Sequence, residues 1–286
     1  MRVRLYAWLF VFFILSQALG TMVALTLIQQ GVQVSIINNN PQDPLNAIAL
    51  ILYILFATGM FLLIIRFFKK RAVGFFEKIA VFSTTWIVGD AALYQASIPA
   101  YEMIPWFGLA LAFLITALRV IFAKNIWLKN LASLFAVAGA GSLIGVSLGI
   151  WPVLLFISLL AIYDIIAVFV TKHMVTMAKA IVSQNLAFTF TIPTKEHEFQ
   201  LGTGDLVIPL VFGIAVFSTA APKIAPLPVY AALLPVSMIM FASVLGLIAT
   251  LHICAERKIA LPALPLQTAY MIAMWGACLS AGMPVL

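Results

Sequence analysis

The sequence predicts an all-α, polytopic membrane protein of nine transmembrane helices, and three observations carry that prediction. Hydrophobic residues fill 64% of the 286 positions, charged residues only 9%, and the mean hydropathy is +1.15. A water-soluble fold of this length does not have such a composition. The polar clusters cut the chain into nine apolar windows, each near the roughly 20 residues that a helix needs to cross the hydrocarbon core. The cations fall almost entirely on one side of the membrane that those windows define.

The first window, residues 5–28, follows Arg2 and Arg4 and has the start of a secretory signal peptide. Its apolar run continues to Ile28, which is too long for one, so it is assigned as a helix. Windows two to six cover residues 45–68, 73–95, 104–122, 128–149 and 151–170. In the fifth, Gly141, Gly145 and Gly149 recur every four residues, a small-residue face for close helix packing. Windows seven to nine cover residues 202–221, 228–250 and 261–282. The chain reads as a single transmembrane domain, 1–286: helices one to six within 1–170, a cytoplasmic loop at 171–201, and helices seven to nine within 202–286.

Nine spans place the termini on opposite sides. Arg2, Arg4, Arg66, Lys69, Lys70, Arg71, Lys78, Arg119, Lys124, Lys129, Lys172, Lys179, Lys195, Arg257 and Lys258 lie on the N-terminal side, and Lys223 alone lies opposite. By the positive-inside rule the N-terminus is cytoplasmic and the C-terminus outside. The basic pI of 9.5 is therefore a topology signal and calls for no nucleic-acid partner.

Several chemistries are excluded. Cys254 and Cys278 have neither disulfide-framework nor metal-ligand spacing. His197 and Glu198 begin an HExxH-like string that fails at Leu201, which removes the zinc protease reading. No serine stands in a GxSG setting with a matching histidine. No metal or organic cofactor is implied.

Of the nine acidic residues, Asp43, Glu77, Glu102, Glu196, Glu198 and Glu256 are expected in loops or at helix ends, and Asp90 near the outer interface. That leaves Asp164, inside the sixth window, and Asp205, which opens the seventh. A carboxylate at membrane depth costs about 2.5–3.5 kcal/mol on insertion scales and should face a partner or a water-filled cavity. Asp164 lies roughly 10 Å, and Asp205 on the order of 6 Å, from the same cytoplasmic boundary at 1.5 Å per residue. Two carboxylates sharing a proton divide the roles of base and acid, the arrangement by which aspartic proteases activate water against a peptide carbonyl. Intramembrane aspartates also serve as proton or sodium ligands and as inter-helix hydrogen bonders, so residue type alone leaves those readings open.

Local sequence shifts the balance. Gly202 and Gly204 flank Thr203 just before Asp205 and are expected to loosen the start of the seventh helix. Pro262 and Pro265, in ALPALPLQ at 260–267, are expected to suppress regular helix at the start of the ninth window. Backbone freed there must line a cavity or be buried in protein, and it could hold an extended peptide by strand-type pairing.

The segments Tyr163-Asp164, Gly202-Thr203-Gly204-Asp205 and Pro262-Ala263-Leu264, in helices six, seven and nine, together resemble the presenilin and signal peptide peptidase family, and among its members a compact archaeal presenilin homologue. The resemblance implies an intramembrane aspartyl endopeptidase with Asp164 and Asp205 catalytic. It implies that Tyr163, Gly202, Thr203 and Gly204 support the active site, and that Pro262, Ala263 and Leu264 contact substrate. Implied partners are single-span transmembrane substrates and membrane lipid, with homo-oligomerisation and accessory subunits left open. The N-terminus-in orientation matches the presenilin branch, which cuts type I substrates. The 171–201 loop is shorter than the element presenilins cleave during maturation, so it reads instead as a lid, with 180–193 disordered when no substrate is bound. The competing function is an ion channel or ion-coupled transporter with the aspartate pair as cation site. A non-catalytic scaffold is the third.

Overall fold

In the computed structural model, residues 2–286 are described apart from 33, 68, 97, 172–176, 179–180, 183–184, 194–197, 225–229 and 258–260. The helices are α1 (Arg2–Gln29), α2 (Pro44–Phe67), α3 (Lys69–Ala96), α4 (Ile98–Met103), α5 (Phe107–Ile121), α6 (Ile126–Ser147), α7 (Ile150–Ile165), α8 (Gly204–Ile224), α9 (Tyr230–Arg257) and α10 (Leu264–Ser280). A π-helical segment, Ile166–Val170, continues α7, and two strands, β1 (Thr189–Pro193) and β2 (Glu198–Gly202), precede α8. Each apolar window of the sequence contains one of these helices, and α4 is an addition to them. Among the described residues, five helical stretches are long and apolar enough to cross a membrane: Leu5–Gln29, Pro44–Ile65, Ile126–Ser147, Ile150–Val170 and Ala232–Cys254. Phe107–Ile121 and Gly204–Ala220 are apolar but shorter.

Helix ends follow local chemistry. Gly31, at φ 65°, closes α1: its N–H bonds the Ile28 carbonyl at 3.1 Å and the Val32 N–H bonds that of Leu27 at 2.8 Å. Only glycine reaches this left-handed conformation without steric cost. Pro44, whose missing N–H costs nothing there, opens α2. Asp43 Oδ1 accepts from the Leu45 N–H at 2.9 Å and caps the same helix.

The chain forms two compact units. The first combines Met1–Val32, Leu55–Ser142 and Thr176–Val207; the second combines Gln33–Ile54, Leu143–Val175 and Ile208–Leu286. In the first unit, α3 packs on α5 at a glycine contact, where a Cβ on Gly89 would lie 2.8 Å from the Gly108 Cα. A Cβ on Gly139 would likewise lie 2.9 Å from the Thr84 carbonyl. In the second unit α10 packs on both α7 and α9, and a Cβ on Gly246 would lie 2.8 Å from the Gln267 Cα. Backbones this close bring dispersion and weak C–H···O contacts into play where no hydrophobic effect drives association.

Four expectations are corrected. Gly149 does not share a helix face with Gly141 and Gly145: α6 ends at Ser147, and Gly149 is the extended N-cap of α7, its N–H held by the Pro41 carbonyl at 2.7 Å. Gly145 keeps the close-packing role, its Cβ position 2.7 Å from that of Ile214. Glu77 is not a solvated loop carboxylate but is buried in α3, 2.7 Å from Arg119 Nη2. Its Oε1 also accepts from the Ala187 N–H at 2.9 Å, while Arg119 donates to the Asn185 and Ala123 carbonyls. The 180–193 segment is not disordered in its described part: residues 185–193 are placed, and β1 is buried along four of its five residues. Residues 180, 183 and 184 lie outside the described residues. Finally, the seventh window does not begin as helix: Leu201 and Gly202 belong to β2, and α8 starts at Gly204.

Candidate active site

Asp164 and Pro262 to Leu264 lie in the second unit. Asp164 comes one residue before the end of α7 and is 3% exposed. Tyr163, beside it, is half-buried. From Ile166 the helix widens to π geometry, and the Thr171 N–H bonds the Ile166 carbonyl at 3.0 Å. Such widened turns recur at functional sites because they break the ordinary side-chain register. The other contributor is α10. Ala263 is its N-cap and Leu264 its first residue, so the Leu264 N–H belongs to the donors that have no carbonyl partner within the helix. That N–H donates to the Asp164 carboxylate. A helix N-terminus and a carboxylate are mutually favourable through both the hydrogen bond and the dipole.

The prolines act differently from the sequence expectation. Pro265 does not suppress the helix; it sits in the first turn of α10, where its missing N–H is no loss. Pro262 precedes the helix in irregular backbone, while 258–260 lie outside the described residues. Beside this corner is an apolar cavity of about 390 Å³ whose lining includes Ile165, Phe169, Ile253, Leu261, Pro262 and Leu266.

Asp205 and the residues before it lie in the first unit. Strands β1 and β2 pair antiparallel, with Thr189 opposite Gly202 and Pro193 opposite Glu198. Past Gly202, the Thr203 N–H and hydroxyl both donate to the Phe188 carbonyl, at 3.1 and 3.0 Å. The Thr203 carbonyl then accepts from Leu206 and Val207, which starts α8. Asp205 is thereby in the first helical turn, half-buried, at the favourable end of the helix dipole. Gly202 leaves room for it: a Cβ there would lie 3.4 Å from Asp205 Oδ2. Gly204 is exposed, with nothing within 4 Å of its Cβ position, so no steric requirement for glycine exists there.

Sequence reasoning passed over the groups that hold the segment leading to Asp205. Gln17, fully within α1, donates from Nε2 to the Leu206 carbonyl at 3.0 Å. Asn130 and Lys129 of α6 bind the hairpin, and Lys129 is completely buried. Arg119 and Lys129, both counted among the N-terminal-side cations, are buried. The available signal was a lone polar residue inside an apolar run, as in FILSQALG around Gln17.

The family model described as "Signal-peptide peptidase, presenilin aspartyl protease" matches residues 10–283. Comparison with curated protein sequences gives no match. Two solved structures of a presenilin family intramembrane aspartate protease share the fold. The form in the P2 space group is 22% identical with a TM-score of 0.66, over 95% of this chain and 96% of the other. The form in the C222 space group is 23% identical with a TM-score of 0.67, over 95% and 97%.

Proposed function

Because the chain belongs to the signal-peptide peptidase, presenilin aspartyl protease family, and so is an intramembrane aspartyl protease, we propose that Asp164 and Asp205 are its catalytic pair. The observation that carries this is the pre-organisation of each carboxylate. Asp164 is buried in α7 against the Leu264 N–H, and Asp205 is fixed at a strand-to-helix junction with Gly202 leaving it room.

The mechanism follows from two carboxyl groups and water. One member, ionised, takes a proton from water as its oxygen attacks the scissile carbonyl; the other, protonated, hydrogen-bonds the carbonyl oxygen. Collapse of the tetrahedral species breaks the C–N bond as a proton passes to the leaving nitrogen. Tyr163, Gly202 and Thr203 shape the surroundings, Gly204 supports Asp205 through its backbone alone, and Pro262, Ala263 and Leu264 contact the opened substrate.

The remaining assignments rest on the sequence. Nine spans, with the N-terminus cytoplasmic and the C-terminus outside in a prokaryotic cell membrane, account for the windows and the charge asymmetry. Substrates are single-span membrane proteins entering from lipid. Mass spectrometry of products from a single-span peptide incubated with the purified protein tests the reading. Fragments cut within the apolar span support it, and cuts confined to the polar flanks contradict it.

A further inference from the structure

A cluster of buried polar side chains lies where α6 meets the hairpin, and the proposed chemistry uses none of it directly. Asn130 Oδ1 accepts from the Thr191 N–H at 2.8 Å, and its Nδ2 donates to the Thr191 carbonyl at 2.9 Å. One amide thus satisfies both backbone groups of a strand residue, as a neighbouring strand would. Two residues earlier, Ser133 Oγ donates to the Thr189 carbonyl at 3.3 Å. Lys129 Nζ donates to Thr191 Oγ1 at 2.8 Å and to Gln200 Oε1 at 3.0 Å, joining β1 to β2. The hydroxyls of Thr189 and Thr191 donate to the same Gln200 oxygen at 2.7 and 3.0 Å.

Apolar packing alone would not need an ammonium here, and burying one is costly. What these groups add is register. The side-chain period of a strand is two, so a slip of one residue would exchange the faces of Thr189 and Thr191 with those of Phe190 and Ile192. Phe190 and Ile192 are wholly buried. The clamp at Thr191 forbids that slip, and the pairing of Thr191 with Gln200 carries the register to β2. Gly202 ends β2 three positions before Asp205.

We propose that Asn130 and Lys129 are positioning residues for Asp205: by fixing the hairpin register at Thr191 and Gln200 they set the point from which α8 starts. This rests on Asp205 being catalytic. Displacing that carboxylate along the substrate changes which peptide bond is cut, whereas mere loss of folded protein yields fewer products in the same ratio.

The test compares wild type, Asn130→Leu and Ser142→Ala in detergent with a single-span peptide. Product ratios are read by mass spectrometry, and amide exchange is followed over residues 189–193 and 198–208. Ser142→Ala removes a buried bond to the Gly20 carbonyl in the same unit and is the control for general destabilisation. Asn130→Leu is expected to lower kcat about 10-fold, to change the product ratio at least about twofold, and to speed exchange in both segments. Ser142→Ala leaves ratio and hairpin exchange as in wild type. An unchanged product ratio, or unchanged exchange, in Asn130→Leu overturns the proposal. Should Asn130→Leu fail to fold, Asn130→Ser and Lys129→Met carry the same readouts. If wild type cleaves no single-span peptide, the protease reading fails separately, and exchange over 198–208 decides the positioning role alone.

Discussion

The Leu264 N–H donates to the Asp164 carboxylate, so the first turn of α10 and the last turn of α7 meet at the group proposed to do the chemistry. Two sequence features with no shared motif, a buried aspartate and a proline-flanked helix start, become one structural unit.

Removing that donor isolates its contribution. Leu264→Pro deletes the N–H, while Leu264→Met keeps it and nearly conserves volume. A hydrogen bond to a charged group is worth about 1.5–3 kcal/mol. Steady-state kinetics should therefore show kcat reduced roughly 10- to 100-fold in Leu264→Pro and by less than about threefold in Leu264→Met. Equal activity of the two would mean that the N–H is irrelevant.

The Glu77–Arg119 pair, with side chains 7% and 5% exposed, should be strongly non-additive. Breaking one partner leaves a buried charge and costs about 3–5 kcal/mol, whereas removing both is far milder. Thermal unfolding in micelles should rank Glu77→Gln and Arg119→Met below the double variant. Single variants as stable as wild type would contradict the burial described.

Glycine positions separate in the same assay. Gly145→Ala places a methyl 2.7 Å from Ile214 Cβ and 3.1 Å from the Val211 carbonyl, overpacking that typically costs about 1–3 kcal/mol. Gly276 has nothing within 4 Å, and Gly276→Ala should unfold at or slightly above the wild-type temperature.

The same reasoning applies inside the motif. Gly204 has open space and no left-handed backbone. Gly204→Ala should therefore keep cleavage within about threefold of wild type and gain a few tenths of a kcal/mol in helix stability. Abolished cleavage in a folded Gly204→Ala would show that glycine is needed there for motion and not for space.

The helices were legible because apolar windows of this length leave few alternatives, and Asp164 stood out because a carboxylate in such a window is expensive. The hairpin was not legible. AFTFTIP at 187–193 alternates threonine with phenylalanine and isoleucine, a strand pattern read instead as part of a loop, and its partner strand contains the first glycine of the GxGD motif. Strand pairing depends on contacts distant in sequence, and here on Asn130 some 61 positions away, which local periodicity does not reveal. The burial of Arg119 and Lys129 was not legible for a related reason: the segment that buries each is distant in sequence. Pro265 was misjudged because its effect depends on whether it falls before or within the first helical turn.

Asp164 and Asp205 are proposed to cut, together, a peptide bond within a transmembrane segment. The direct measurement is cleavage of a single-span peptide by purified protein in detergent, comparing wild type with Asp164→Asn and Asp205→Asn, each shown to be folded by its unfolding temperature. Either substitution alone should reduce kcat at least about 10³-fold, because acid and base act as one unit. Cleavage by both variants at the wild-type rate would contradict the proposal.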